Sequence, residues 1–322
     1  MEGHLFWGMP VIIYLFLAGM GAGATTVSAS MLLRGGGGGR GVHHEIAKYG
    51  ALLGPLPVIL GTGFIVFELG SFQHGNYFRF INLLLTLSLS PMSIGSWLLM
   101  LFSGISVIYA YTYQTILPWP DMLGDRIKWR RGLAWACVPL GIGVAIYTGV
   151  MLGAMPSRPF WNSPVLALLF LLSALSTGVA LIILARAFIT RGGLSEERRE
   201  EVHKSGYVLA SADSLLIGFE FISIFLFLMF AYLTVGDVRY ALEVILPGGE
   251  LASLFWVGFV LVGLVLPGLV ELYFVAPSLL FQRKYHVSRY AEMIVALAVI
   301  FGGFLLRYIV VVAGQITGPV GM

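Results

Sequence analysis

Apolar residues run along this chain in stretches about as long as a lipid bilayer is thick. Eight such runs stand at 7–33, 47–69, 90–113, 133–152, 164–188, 207–235, 251–275 and 291–312, each interrupted by Gly, Pro or charge. A helix needs about 20 apolar residues to cross a hydrocarbon core. Strands of a closed barrel would alternate over about ten residues, and 166–184 does not alternate. The pattern predicts an all-α, polytopic integral membrane bundle of eight transmembrane helices, a single domain over residues 1–322. Too little of the chain is left over for a second soluble domain of ordinary size.

Composition strengthens this reading. The chain is 58% apolar and 11% charged, whereas soluble domains carry about 25% charge. The net charge of +3 is scattered over short connections and forms no basic face, so nucleic-acid binding finds no support. The cations instead sort the loops. Odd-numbered connections and their flanking span ends carry Arg34, Arg40, Lys48, Arg126, Lys128, Arg130, Arg131, Arg186, Arg191, Arg198, Arg199, Lys204, Arg283, Lys284 and Arg289, against Arg79, Arg158 and Arg239 in the even ones. Cytoplasmic loops collect Lys and Arg, so both termini are expected on the outer side of a prokaryotic cytoplasmic membrane. No Lys or Arg precedes Arg34; the first run lacks the basic start of a cleavable signal and should remain as a span.

Between spans, the glycine run at 35–39 reads as linker. The charged stretch 194–204 reads as a solvated loop in preference to a short helix laced by charge pairs. Gly19 and Gly23, with Ala18 and Ala22, put small residues four apart on the first span, a spacing that lets another helix approach closely. A dinucleotide-binding glycine order is absent.

Five ionisable residues remain inside the predicted spans once loop and boundary charges are set aside: Glu68, Asp213, Glu220, Glu271 and Arg307. At bilayer depth each costs at least about 2.5 to 3.5 kcal/mol on the insertion scale. With this topology Glu68 lies near the outer end of the second span and Arg307 in the outer third of the eighth. Glu220 lies near mid-membrane, with Asp213 about two turns nearer the cytoplasm on the same face, and Glu271 follows Pro267 near the inner end of the seventh span. Low dielectric favours the neutral acid, so such carboxyls can accept and release protons and form a pathway across the membrane. The alternative is structural: pairing with Arg307, or capping backbone freed by Pro267.

All six histidines, His4, His43, His44, His74, His203 and His286, fall at span ends or in loops. Facing pairs that would ligate a haem between helices are missing, and adjacent His43 and His44 read as a solvated inner-loop feature. Cys137 is the single cysteine and cannot hold an iron–sulfur cluster alone. The expectation is no haem, no cluster and no metal site in this protein.

Four stretches together resemble the NrfD/PsrC family, the membrane subunits of polysulfide reductase and related respiratory complexes. They are the first span from Tyr14 to Gly23; Glu68-Leu69-Gly70 running on to Arg79; Ser90-Pro91-Met92-Ser93-Ile94-Gly95-Ser96-Trp97; and Arg158-Pro159-Phe160-Trp161-Asn162 leading to Ser176-Thr177-Gly178. The tail from Leu306-Arg307 to Gly314-Gln315 is also similar. The family usually has Asp where Glu68 stands, which keeps the carboxylate on a longer stem.

The resemblance implies a site for a quinone or quinol, of the menaquinone type, near one membrane face, and the charge count makes that the outer face. Beside it would dock a multi-cluster, ferredoxin-like iron–sulfur subunit, which relays electrons to a catalytic subunit, often a molybdenum or tungsten enzyme. Tyr147 resembles a family tyrosine that donates a hydrogen bond to a quinone carbonyl; otherwise it is an interfacial aromatic. His4 is a candidate for the other carbonyl, since imidazole titrates near working pH, or else a solvated terminal residue. Glu68, Trp7, Asn82 and Trp161 complete the quinone candidates; Glu68, Glu220, Asp213, Glu271 and Arg307 are the proton-path candidates.

The functional expectation is a quinone-handling subunit, inactive alone, that exchanges electrons with an iron–sulfur neighbour and manages coupled protons. Two other classes remain open. A secondary transporter would use Glu220 as its coupling carboxylate, and a passive anchor would only hold catalytic subunits at the bilayer.

Overall fold

The computed structural model describes residues 7–35, 41–68, 90–114, 120, 124–189, 196–281 and 287–318, without the side chains of residues 67, 68, 189 and 196–199. Those residues form helices and turns, with no strand among them. The helices are α1 (Met9–Arg34), α2 (Val42–Leu53), α3 (Pro55–Glu68), α4 (Pro91–Tyr111), α5 (Arg126–Gly153), α6 (Val165–Ile189), α7 (Glu196–Leu233), the short α8 (Asp237–Leu242), the π-wound α9 (Leu254–Val265), α10 (Leu266–Phe281) and α11 (Arg289–Ile316). They supply eight helical stretches long and apolar enough to span a membrane. The protein is thus a multi-pass membrane protein. One span is built from α2 and α3, broken at Gly54, and another runs through α9 into α10.

Local chemistry explains the boundaries. Ser90, Asp125 and Ser288 accept hydrogen bonds from the backbone N–H groups of Ser93, Ile127 and Ala291, satisfying donors that a helix start leaves free. Pro55 has no N–H, so α2 cannot run unbroken into α3. At the other end of α4, Arg126 donates to the carbonyls of Tyr111 and Gln114, and Arg130 to that of Thr112, filling acceptors that the helix end exposes. The Arg130 guanidinium also sits 4.0 Å from the Tyr113 ring centroid.

The reading of 194–204 as a solvated loop is corrected. From Glu196 the backbone is helical without a break into α7. Lys204 and Glu200 pair one turn apart at 2.9 Å, and Arg186 donates to the Val202 carbonyl at 2.6 Å and to Ser205 Oγ at 3.0 Å. His43 and His44 likewise lie half-buried in the first turn of α2, with the His44 ring 5.7 Å from that of Tyr113.

α1 is the most enclosed helix: 83% of its apolar stretch is buried, against 33% for α4 and α7. It packs on α2, α3, α5, α6 and α11. Small residues make this possible, as their four-residue spacing implies. A Cβ on Gly23 would stand 1.9 Å from the Ala174 carbonyl oxygen of α6, and one on Gly178 would stand 2.3 Å from the Ala24 nitrogen. On the far side, Gly263 of α9 meets Gly302 of α11 so closely that a Cβ on either would lie 2.5 Å from the other's Cα. The outer helices are inverted relative to a soluble protein. α7 exposes Leu215, Phe219, Ile222 and Phe225 while burying Asp213 and Glu220, the distribution expected when the solvent is lipid.

Replacing Gly23 by Leu is expected to destabilise the bundle by at least about 1–3 kcal/mol through overpacking. Gly63→Leu, where a new Cβ meets nothing within 4 Å, is expected to be neutral. Thermal unfolding in detergent checks both, and equal midpoints would contradict the packing.

Candidate functional site

Two polar regions hold the predicted site residues that the structure describes. The first lies where α1 begins and α5 and α11 end. Trp7 and Trp161 stack with centroids 5.2 Å apart and planes 21° apart. The Trp7 N–H donates to Gln315 Oε1 at 2.8 Å, and Gln315 Nε2 donates back to the Trp7 carbonyl at 3.0 Å. Arg158 donates to the Gln315 carbonyl at 2.9 Å. The Trp161 indole N–H donates to the Val310 carbonyl at 2.7 Å, so this residue offers a ring face and no free donor. Gly314 leaves room for that ring: its Cβ would overlap Trp161 Nε1 at 1.9 Å.

Tyr147 belongs to the same end of the bundle. Its ring lies over Gly95, where a Cβ would fall 1.7 Å from Tyr147 Cζ. The buried Tyr14 is its electrostatic neighbour. Among the described residues, the one hydrogen bond of its hydroxyl is a 3.4 Å contact with the Met151 sulfur. A thioether is a weak acceptor, so the phenol retains the capacity to donate to a stronger one. His4 and Asn82 lie outside the described residues, as does the side chain of Glu68, whose backbone closes α3.

The second region is a ladder of ionisable groups between α6, α7, α10 and α11. At its top Arg307, 1% exposed, donates to Ser173 Oγ, to the Gly303 carbonyl at 3.0 Å and to the Phe170 carbonyl at 3.3 Å. Its guanidinium carbon lies 5.1 Å from the Phe170 ring centroid. Glu220 is within hydrogen-bonding reach of Ser173 and within electrostatic range of Arg307. Ser173 accepts from the guanidinium, so its own proton is free to point elsewhere.

Below it, Asp213 Oδ1 accepts from Ser176 Oγ at 2.7 Å. Asp213 Oδ2 is buried and receives no donor among the described residues, while Glu271 is within hydrogen-bonding reach. Two carboxyl groups bond each other only through a shared proton, because an ionised carboxylate has no donor. Ser214 reinforces the point. Its hydroxyl contacts both the Ala210 carbonyl at 2.8 Å and Glu271 Oε2 at 3.2 Å with one proton for the two. A hydrogen bond between Asp213 and Glu271 therefore needs a proton on one of the two carboxyls.

The structure thus sets Asp213 near Glu271 and Glu220 within electrostatic range of Arg307, stacks Trp7 on Trp161, and leaves Tyr147 toward the same end of the bundle. Glu271 faces Asp213 and Ser214 rather than the backbone freed by Pro267. Sequence reasoning missed the serines that orient the carboxyls, although Ser173 and Ser176, three apart and opposite Asp213, form one polar stripe on α6. It also missed Tyr14, and it counted Arg186 as a loop charge, whereas Arg186 is 4% exposed and ion-paired with Glu292. Among the described residues no three His, Cys, Asp or Glu side chains gather to hold a metal ion.

Comparison with known proteins identifies sequence relatives. The family model described as "Polysulphide reductase, NrfD" matches residues 1–319. The C component of polysulfide reductase from Wolinella succinogenes is 31% identical over 318 residues, an overlap of 96% of the present sequence and 94% of that protein. Protein NrfD of Escherichia coli is 29% identical over 340 residues, an overlap of 97% and 96%. The C component of selenate reductase from Mesobacillus selenatarsenatis is 28% identical over 141 residues, 44% of the present sequence and 32% of that protein.

Arg307→Met should cost about 1–3 kcal/mol, since it removes the donor to Ser173 and to the Phe170 carbonyl and the cation within electrostatic range of Glu220. The double variant Arg307→Met/Glu220→Gln should recover part of that loss. Thermal denaturation reads both; an additive double variant would show that the two groups do not interact.

Proposed function

The chain belongs to the polysulphide reductase NrfD family, and from that premise we propose that it is the quinone-handling membrane subunit of a respiratory oxidoreductase complex. The observation that carries this reading is Tyr147: a phenol at one end of the bundle, half-enclosed, whose hydroxyl rests on a thioether. A quinone carbonyl is a far stronger acceptor than that sulfur. The ring of Tyr147 is fixed against Gly95, so its hydroxyl is positioned without large loss of freedom on binding. These features fit a quinone head group, of the menaquinone type, which supplies two-electron carrier chemistry when bound.

The protein's own residues then have distinct tasks. Tyr147 donates a hydrogen bond to one carbonyl, with His4 as the candidate for the other. Trp7 and Trp161 present stacked ring faces, and Glu68 and Asn82 complete the proposed pocket. Asp213, Glu271, Glu220 and Arg307 hold the protons that accompany electron transfer. Chemistry on the terminal substrate belongs to a separate catalytic subunit, of the molybdenum or tungsten kind, reached through a ferredoxin-like iron–sulfur subunit. Two of the similar proteins are named as the C component of a reductase, which supports a division of labour among subunits.

Lys and Arg concentrate at the end of the bundle that carries Arg126, Lys128, Arg130, Arg131, Arg186, Lys204 and Arg289, while the Tyr147 end carries Arg158 and Arg239. By the positive-inside rule the Tyr147 end and both termini face outward from the cytoplasmic membrane, and the iron–sulfur subunit docks there.

Tyr147→Phe keeps the ring and removes the donor. It is expected to lower quinone-linked turnover about tenfold, the worth of roughly one hydrogen bond, while an artificial-dye assay of the catalytic subunit persists. Unchanged quinone turnover would contradict the assignment. Purification in mild detergent is expected to bring down a cluster-bearing subunit, seen by its iron content; a polypeptide fully active alone would contradict the complex.

A further inference from the structure

Below Glu271, beyond the ladder itself, is a cavity of about 20 Å³, walled by apolar groups such as Ala210, Phe274 and Val295 and by three charged ones, Arg186, Glu271 and Glu292. That volume holds about one water molecule, and a water needs two or more polar partners. Here they are present: Glu271 lines one side, and the buried Arg186–Glu292 ion pair lines the other. Glu292, in the first turn of α11, is 16% exposed at its side chain where Arg186 is 4%. It therefore touches both the end of the bundle and the cavity. Gly206 makes the closure possible, because a Cβ there would lie 2.7 Å from Arg186 Nη1 and 2.9 Å from Glu292 Oε1. Above, the buried Asp213 Oδ2 has no donor among the described residues.

We propose that this cavity is a water site through which Glu292 exchanges protons with the Asp213–Glu271 pair, and that the Arg186–Glu292 ion pair closes it to the surface. The inference rests on the proton-handling reading of the ladder and adds its inlet and its gate. In each passage Glu292, protonated from the water at its own end of the bundle, gives its proton to the enclosed water, and that water gives one of its own to the Glu271 carboxylate. The O–H bond lost at Glu292 is matched by the one formed at Glu271, the water is regenerated, and the Glu292 carboxylate re-forms its ion pair with Arg186.

The test uses the whole complex in proteoliposomes, driven by quinone-linked electron transfer, with a pH-sensitive dye reporting proton exchange in H2O and D2O. Glu292→Gln is expected to slow proton exchange by at least about tenfold and to raise the H2O/D2O rate ratio, with Glu292→Asp restoring most of both. Ala210→Leu fills the cavity, leaves every carboxyl in place, and is expected to slow exchange in the same way, so it decides the matter if Glu292→Gln fails to assemble. Asp213→Asn is the reference. Should it slow exchange while Glu292→Gln or Ala210→Leu leaves the rate and the isotope ratio unchanged, the inlet is wrong and the ladder stands. Should Asp213→Asn have no effect, the proton-handling reading falls and the inlet with it.

Discussion

A charge taken out of water must be neutralised, paired or relayed, and in a bilayer no solvent is at hand to do it. That constraint organises this protein. Arg307, Glu220, Asp213 and Glu271 are all at least 95% buried, and each is held by a partner contributed by another helix. The serines of α6 are the connecting pieces. Ser173 accepts from Arg307, and Ser176 donates to Asp213, so one helix face services groups from α7 and α11. The Asp213–Glu271 contact is satisfied only with a proton in place.

Such a ladder needs a rigid frame, and small residues provide it. The contact of α1 with α6 through Gly23, Ala174 and Gly178 fixes the helix that carries both serines. The Gly263–Gly302 contact fixes α11 against the π-wound α9, and α9 leads directly into the helix bearing Glu271. π-winding turns a helix by a different angle per residue from α-winding, so α9 sets the direction in which Glu271 points. At the opposite end of α11, Gln315 ties Trp7 to Arg158. α11 thereby joins the aromatic end of the bundle to the carboxyl ladder.

Much of this was legible in the sequence. The eight spans follow from run length alone, and the four buried ladder residues were visible as charges where none is cheap. Gly19 and Gly23 announced a close helix contact by their spacing. What remained hidden depends on which faces meet. Arg186 and Glu292 sit near span ends, where a charge ordinarily has water, and only the crossing of α6 with α11 shows that they face each other. The helical start of α7 was masked by its charges, since a run of Glu and Arg suits a solvated loop as well as a helix laced by pairs. The partnership of Asp213 with Glu271, fifty-eight residues apart, lies beyond any periodicity. Tyr147 drew notice through family likeness; its loose hold on Met151 is a property of the folded bundle.

The central claim is that electron exchange with a membrane-soluble quinone at one end of the bundle is tied to protonation of buried carboxyls within it. The infrared difference spectrum of the intact complex, before and after addition of reduced quinone, tests this most directly. The account predicts a change in the carbonyl band of a protonated carboxylic acid that is lost in Asp213→Asn. A spectrum free of any carboxyl signal, or one that Asp213→Asn leaves unaltered, would contradict it.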